Sequence, residues 1–209
     1  MSRFGKNLVL PILGVGLLLA ACHPTGAESI TDLDTVTTTH DAAFDFATPT
    51  TYALPDKVFF ITDTDPGGNP DRLPPDLEQL ILGTITNEMS ALGYQKAADA
   101  DAANADLDMT VGALKVTNVS VYYGYWCGYW AYYYPCYPYY PPVVGVSSYA
   151  VGSLLIDMAP RGAGAGNQYQ GVWTAIIRGI QSGVTSTDRT RIVNGISQAY
   201  IQSPYLGKP

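Results

Sequence analysis

Apolar positions recur along this chain with two periods, and the switches between them mark its elements. Leu77, Leu80, Ile81, Ile85, Met89 and Leu92 follow one another at three- and four-residue steps, which predicts a helix with one apolar face. Pro74-Pro75-Asp76 suits its first turn, and Gly93 stands where a helix-ending glycine belongs. A second helix is predicted near the end. Asp188 would cap it, Ile192, Val193, Ile196, Ala199 and Tyr200 would form its inner face, and Pro204 would stop it.

The other period is two. Asp34 to His40 is a β-branched alternating run, Phe44-Asp45-Phe46 and Thr50 to Leu54 read as extended, and Lys57 to Thr62 continues them. Leu107, Met109, Val111 and Ala113 alternate until the phase slips near Leu114–Lys115, which predicts a bulge or bend there before Val119 and Val121 resume. Val144, Val146, Ala150, Gly152, Leu154, Ile156 and Met158 share even parity and predict one long strand. Tyr169, Gly171, Trp173, Ala175 and Ile177 have odd parity, and the Gly/Ala stretch Arg161 to Asn167 makes the two a hairpin. Residues 63–72 read as a turn-rich loop and residues 96–106 as a connecting loop. The expected architecture is α+β: a two-layer sandwich in which an antiparallel sheet of about four to six strands packs on two amphipathic helices. A single domain over residues 34–204 is expected, with residues 122–142 as an insertion.

The N-terminus follows neither period. Arg3 and Lys6 precede an apolar stretch from Leu8 to Leu19, which is too short for a membrane span of about 20 residues and suits an export signal. It ends in Leu19-Ala20-Ala21-Cys22, which resembles the lipobox of bacterial lipoproteins. That resemblance implies cleavage after residue 21 and lipid on the Cys22 thiol, with residues 22–33 as a tether. Stable anchoring takes two or more acyl chains, and mature bacterial lipoproteins typically carry several. The expected location is the cell envelope, facing the periplasm. The outer membrane is favoured over the inner, since His23 replaces the aspartate that retains many lipoproteins in the inner membrane.

Charge narrows the partners. The chain has a formal net charge of −7, and removing Arg3 and Lys6 with the leader would take it to −9. Such a protein lacks the basic footprint of nucleic-acid binding, and no nucleic-acid partner is expected. Its bulk charge would be repelled by anionic lipid, so membrane attachment falls to the acyl chains.

The densest feature is residues 122–142, in which ten tyrosines and two tryptophans stand among glycines and prolines. Tyrosine and tryptophan pair an apolar body with a polar tip and suit wet interfaces, sugar faces and headgroup zones. Tyr123, Tyr125, Trp126, Tyr129, Trp130 and Tyr133 are the candidate contact residues. If lipid consumes Cys22, the remaining cysteines Cys127 and Cys136 form a pair. A bond between them would be at home in the periplasm, and closing a ten-residue loop would stabilise it by roughly 2–3 kcal/mol. The same segment also reads as an extended stretch and Pro-punctuated loop packed on its own domain.

Enzyme chemistry is thinly supplied. His23 lies on the tether. His40-Asp41 is the one candidate proton-transfer pair, but adjacent residues of a strand point to opposite faces. No nucleophile elbow, phosphate loop or zinc signature is present. Asp63, Asp65, Asn69 and Asp71 offer oxygen ligands, yet their spacing departs from a calcium loop and no closing glutamate follows, so they read as a solvated turn. No catalytic residue, metal or cofactor is assigned.

Thr51-Tyr52-Ala53-Leu54, Leu92-Gly93-Tyr94, Ala105-Asp106-Leu107, Gly152 to Asp157, Val172-Trp173 and Ser203-Pro204 occur in this order. Together with the lipobox they resemble the domain-of-unknown-function 4136 family of envelope lipoproteins, over roughly residues 32–204. That resemblance implies the fold and the location, and a Tyr/Gly-rich insertion before the Gly-x-Leu-x-Ile-Asp strand, but no activity. The leading expectation is a non-enzymatic binding or accessory module whose aromatic loop contacts an envelope protein, a glycan or the membrane interface. The alternatives are a self-associating structural protein of the envelope and an enzyme without a recognisable motif.

Overall fold

The computed structural model describes residues 35–62, 65–69, 73–98, 102, 104–115, 139–140, 152–161, 169–179 and 186–207. In chain order the strands are β1 (Val36–His40), β2 (Thr51–Ala53), β3 (Phe59–Thr62), β4 (Asp65–Asn69), β5 (Gln95–Lys96), β6 (Leu107–Lys115), β7 (Tyr139–Tyr140), β8 (Ser153–Pro160), β9 (Tyr169–Gln170) and β10 (Trp173–Ile177). Helix α1 (Pro75–Ala91) lies between β4 and β5, and α2 (Ser186–Ile201) follows β10 before a 3-10 turn at Pro204–Leu206.

The main sheet runs β1-β10-β8-β6-β2-β5, with β3 also on β6 and β4 on β3. The fold class is α+β as the periods imply, but the sheet is mixed. From β1 to β6 every pairing is antiparallel; Trp173 faces Met158, and Met158 faces Met109. On the other edge of β6 both β2 and β3 run parallel to it, one beside Leu107 and the other beside Gly112 to Lys115, and β5 runs parallel to β2. A parallel return needs a crossover, and α1 supplies it between β2 and β5.

Both helices cover one face. Leu77, Ile81, Ile85 and Met89 of α1 and Ile192, Ile196 and Ala199 of α2 pack with Met109, Val111, Ile156, Met158, Trp173 and Ala175 in one core. The parities read from the sequence, odd in β6 and β10 and even in β8, are those of this core face. Gly93 follows α1 with φ 90°, a conformation that favours glycine.

Elsewhere the structure corrects the expected elements. The loop at 63–72 contains β4, whose backbone pairs with β3 through Phe60–Asn69 and Thr62–Asp65; an edge strand tolerates Pro66 and two glycines. Gln95–Lys96 is likewise a short strand at the head of the expected connection. Strand β6 stays in register with β8 through Leu114–Ser153, with Leu114 itself buried on the opposite face, and Val119 and Val121 lie outside the described residues. Among the described residues β8 spans Ser153–Pro160 and follows Gly152, which has φ 82°; the expected stretch from Val144 to Ala150 lies outside them, and Val172 precedes rather than joins β10. Phe44-Asp45-Phe46 is turn, set by the Ala43 and Ala47 amides donating to Asp41 and Asp45 at 2.9 and 3.0 Å. Asp188 lies in the first turn of α2 rather than before it.

One glycine sets the distance between α2 and the sheet. Gly195 lies inside α2, where glycine is about 1 kcal/mol worse than alanine. A Cβ there would stand 2.5 Å from Ile177 Cγ2, a branch methyl with little freedom to move. Gly195→Ala should therefore destabilise the domain by about 1–3 kcal/mol despite its better helix propensity. In an Ile177→Ala background the penalty should largely vanish. Denaturant titration of the four chains measures the coupling; two effects that simply add within about 0.5 kcal/mol would refute this close approach.

Candidate functional site

The quoted sequence motifs meet one another in space as fold contacts. Asp106, in the turn before β6, takes four donors on one carboxylate oxygen. The Thr50 and Thr51 amides donate at 2.8 and 2.9 Å and their hydroxyls at 3.1 and 2.9 Å. The Asp106 amide in turn donates to Thr51 Oγ1 at 3.0 Å. Thus Thr51-Tyr52-Ala53-Leu54 and Ala105-Asp106-Leu107 form one bridge that pins the start of β2 beside β6. Likewise the Trp173 indole donates to Ser203 Oγ at 3.0 Å, joining Val172-Trp173 to Ser203-Pro204. The Tyr94 hydroxyl donates to the Phe46 carbonyl at 2.9 Å, and burial pushes its pKa up to about 12.

The amides of Thr50 and Thr51 hold the Asp106 carboxyl down at about 2. A carboxylate with a depressed folded value contributes stability that is complete above the ordinary value of about 3.9 and lost as pH falls toward 2. The side chain is exposed, so solvent screening limits that contribution to about 1 kcal/mol. Asp106→Ala should lower stability by about 1–2 kcal/mol at pH 7. Its melting temperature should converge on that of the unaltered chain near pH 2, and a gap just as wide at pH 2 as at pH 7 would contradict the assignment.

An open cleft of about 500 Å³ adjoins this bridge, lined by Phe44, Asp45, Thr48, Asn104, Asp106 and Arg161 among others. Its charged groups are engaged by the scaffold. Asp45 accepts from the Ala47 amide and the Thr48 hydroxyl, Asp106 from the two threonines, and Arg161 is paired with Asp108. His40 is not part of it. The imidazole stacks on Tyr205 at 3.8 Å between ring centroids, with Phe46 at 6.4 Å, and Asp41 accepts the Ala43 amide in a local turn. The two side chains of this candidate pair are thus occupied in different ways. Among the described residues no group of three or more His, Cys, Asp or Glu side chains could hold a metal ion, and no helix is long and apolar enough to cross a membrane. Asp63 and Asp71 lie outside the described residues.

The face of the sheet away from the helices carries a second feature, which alternation alone does not disclose. Thr39, Thr174, Asp157 and Thr110 lie in register across β1, β10, β8 and β6, and Asp108 sits two residues before Thr110. Asp157, Thr110 and Asp108 are fully buried and Thr174 almost so. The Thr174 hydroxyl donates to Asp157 at 2.6 Å, and Arg161 closes on Asp108. Polar residues alternating with a core face read as solvent-facing. The contrary signal is that Leu114, Leu155 and Ile176 share their phase.

The candidate residues named from the sequence, Cys22, Cys127, Cys136, Tyr123, Tyr125, Trp126, Tyr129, Trp130 and Tyr133, lie outside the described residues. The attachment of the aromatic segment is described. Leu114 and Ser153 are register partners, and the Gly152 amide donates to the Leu114 carbonyl at 3.0 Å. The connection between β6 and β8 therefore leaves and re-enters at neighbouring points of two paired strands.

Comparison with known proteins agrees with these motifs. The model of the domain-of-unknown-function family DUF4136 matches residues 36–205. A crystal structure of a DUF4136 family protein from Bacteroides thetaiotaomicron is similar over 83% of this chain and 97% of its own, with 29% identity and a TM-score of 0.65. A PelC dodecamer from Paraburkholderia phytofirmans aligns with 84% of this chain and 99% of its own at 16% identity, with a TM-score of 0.42. No curated protein matches the chain in sequence.

Proposed function

Because the chain belongs to the DUF4136 family, whose function is unknown, we propose that it is a lipid-anchored envelope lipoprotein that works by contact rather than catalysis. On this reading the tyrosine- and tryptophan-rich insertion at 122–142 is the working surface. The observation that carries it is the composition of this connection together with where its two ends join the sheet. Ten tyrosines and two tryptophans occupy a connection hung from one end of two paired central strands, β6 and β8. A rigid sheet that presents an aromatic segment suits recognition, since tryptophan and tyrosine are the usual hot-spot residues.

Three further points support the reading. The quoted motif residues Asp106, Tyr94, Trp173 and Ser203 act in fold contacts. The charged side chains that line the cleft are engaged by the scaffold: Asp45 in a local turn, Asp106 with Thr50 and Thr51, and Arg161 with Asp108. The leader ends in Leu19-Ala20-Ala21-Cys22, and β1 begins fourteen residues after Cys22, which leaves room for a tether. In this scheme acyl chains on Cys22 hold the domain at the membrane facing the periplasm, more favourably the outer membrane. A Cys127–Cys136 bond narrows the loop's conformations there. The partner is an envelope protein, a glycan or the membrane interface, and the contact has no nucleic-acid or cofactor component.

The net negative charge places binding energy in aromatic packing, so added salt should change the contact little. Trp126→Ala combined with Trp130→Ala should weaken binding at least tenfold, an expectation set by hot-spot losses of roughly 1.4 kcal/mol and above. The melting temperature should stay within a few degrees. The assay is co-sedimentation with envelope fractions, peptidoglycan and liposomes, run beside thermal unfolding. Unchanged binding in all three would remove the loop from function, and a collapse of stability would place the tryptophans in the core.

A further inference from the structure

Among the described residues the main sheet has three borders, formed by β1, β4 and β5, and two of them are poor templates for pairing. Strand β5 is two residues long and carries Lys96, and β4 is Asp-Pro-Gly-Gly-Asn. Short length, lysine and proline are devices by which edge strands avoid pairing with other chains. Strand β1 has none of them. Val36-Thr37-Thr38-Thr39-His40 is a five-residue edge, half-buried throughout, without proline, glycine, lysine or acid. Its first four side chains are β-branched, which suits a pleated ladder.

Which backbone groups of β1 point outward follows from the hydrogen bonds at its two ends. The Arg178 amide donates to the Thr35 carbonyl and the Asp41 amide to the Val172 carbonyl, both at 2.9 Å. Both bonds run toward the β10 side. The alternation of an antiparallel ladder then assigns the backbone groups of Thr37 and Thr39 to β10 as well. Those of Val36, Thr38 and His40 face away from the sheet. Gln202 agrees with this sense, since its side-chain amide donates to the Val36 carbonyl at 3.3 Å. The other outward donors and acceptors stand at two-residue intervals, the spacing at which a further antiparallel strand bonds.

Charge and symmetry select the occupant. On a chain of net charge −7 a second copy is repelled unless it docks through a neutral segment, and β1 has no Asp, Glu, Lys or Arg. The outward row also complements itself. Paired antiparallel about Thr38, Val36 meets His40 of the copy, Thr38 meets its own equivalent, and each outward amide finds an outward carbonyl. Thr37 then lies opposite Thr39 of the copy, a favourable cross-strand pair. A slip by one residue would set the outward groups against groups already bonded to β10, so the register is specified.

We propose that β1 is a self-docking edge, through which two copies of the chain pair antiparallel over Val36–His40 about a twofold axis at Thr38. The contact is isologous, and one sheet runs across both copies. Five residues a side is a small interface, below the roughly 1,000 Å² of lasting complexes, so the pairing is reversible and depends on concentration. Gln202 competes for one of its acceptors. The pairing requires neither lipidation nor the aromatic insertion and its partner.

Disulfide trapping of the full chain reads this register directly. Opposed residues that do not bond each other through the backbone have Cα atoms about 4.5 Å apart, within reach of a disulfide. A chain with Thr37→Cys and a differently tagged chain with Thr39→Cys, mixed and mildly oxidised, should give a heterodimer linked between positions 37 and 39. Thr37→Cys alone should give far less. The unaltered chain, which keeps Cys22, Cys127 and Cys136, is the baseline for both. Thr38→Pro supplies the second arm. The Thr38 amide points outward, so proline removes no bond to β10, and an edge strand tolerates it there. Added to both cysteine chains it should cut the trapped product about tenfold or more, through the loss of two ladder hydrogen bonds, with the melting temperature within a few degrees. If Thr38→Pro melts lower, amide exchange of the unaltered chain decides. Protection of the Thr38 and His40 amides should rise with protein concentration, while Thr37 and Thr39 stay protected throughout. Equal trapping of 37 with 37 and of 37 with 39 would mean collision without register, and absence of the 37–39 link would mean that no copy uses the edge. Protection of Thr38 and His40 that ignores concentration would give the edge to another stretch of the same chain. Each of these overturns the proposal, whereas failure of the Trp126/Trp130 binding experiment leaves it untouched.

Discussion

Trp173→Ala should bring the domain close to unfolding. Among the described residues its side chain is the largest of the fully buried ones, and it stands where β10, the end of α2 and the 3-10 turn meet. Its ring packs against Tyr200 at 5.3 Å between centroids, and its indole donates to Ser203 Oγ. Truncation removes the transfer free energy of the ring and leaves a cavity that the sheet cannot collapse to fill, about 3–5 kcal/mol in all. That is a large part of the 5–15 kcal/mol typical of a whole domain. At about 2–4 °C per kcal/mol for this size, the melting temperature should fall by roughly 6–20 °C. Trp173→Phe retains most of the packing and should lose much less, since Ser203 Oγ keeps the Tyr205 hydroxyl as a donor. Circular dichroism melts of the three chains decide it. An alanine variant that melts within 2 °C of the unaltered chain would show that this corner of the core is not load-carrying.

Cys22→Ser should have the largest effect on the protein's place in the cell. Lipid is transferred to a thiolate-forming sulfur, and serine offers no equivalent nucleophile. The variant should therefore incorporate no labelled fatty acid and should retain its leader or appear unanchored. The acidic domain offers no compensating electrostatic attraction to anionic lipid. The folded part should not change, because β1 starts well beyond Cys22. Metabolic labelling with a fatty-acid analogue, followed by membrane fractionation, is the measurement. Label on the serine variant at the level of the unaltered chain would exclude lipidation at this residue.

Much of the helix-facing architecture was legible because its periods are clean. The stripe of Leu77, Ile81, Ile85 and Met89 and the parities of Met109, Ile156 and Trp173 follow directly from which side chains meet in one core. The parallel half of the sheet was not legible. Strands β2, β5 and β3 have three, two and four residues, too few to show a period, and parallel pairing is set by the α1 crossover rather than by local sequence. The burial of the polar row Thr110, Asp157 and Thr174 was not legible, because alternation reports that two faces differ, not that both are covered. Runs such as Leu154-Leu155-Ile156 and Ala175-Ile176-Ile177, apolar in both phases, were the available clue. Of the candidate site the sequence shows the composition of the segment and its cysteines. Its seat depends on contacts between distant strands, such as Leu114–Ser153 and Tyr139–Tyr169, which no local pattern encodes.

The account rests on export and lipid attachment at Cys22, and mass spectrometry of the mature protein from membranes reads both at once. The account predicts a chain without residues 1–21 whose N-terminal peptide begins at Cys22 and carries the mass of a diacylglyceryl group, with or without a further amide-linked acyl chain. A mature chain that keeps residues preceding Cys22, or begins at an unmodified Cys22, would contradict it.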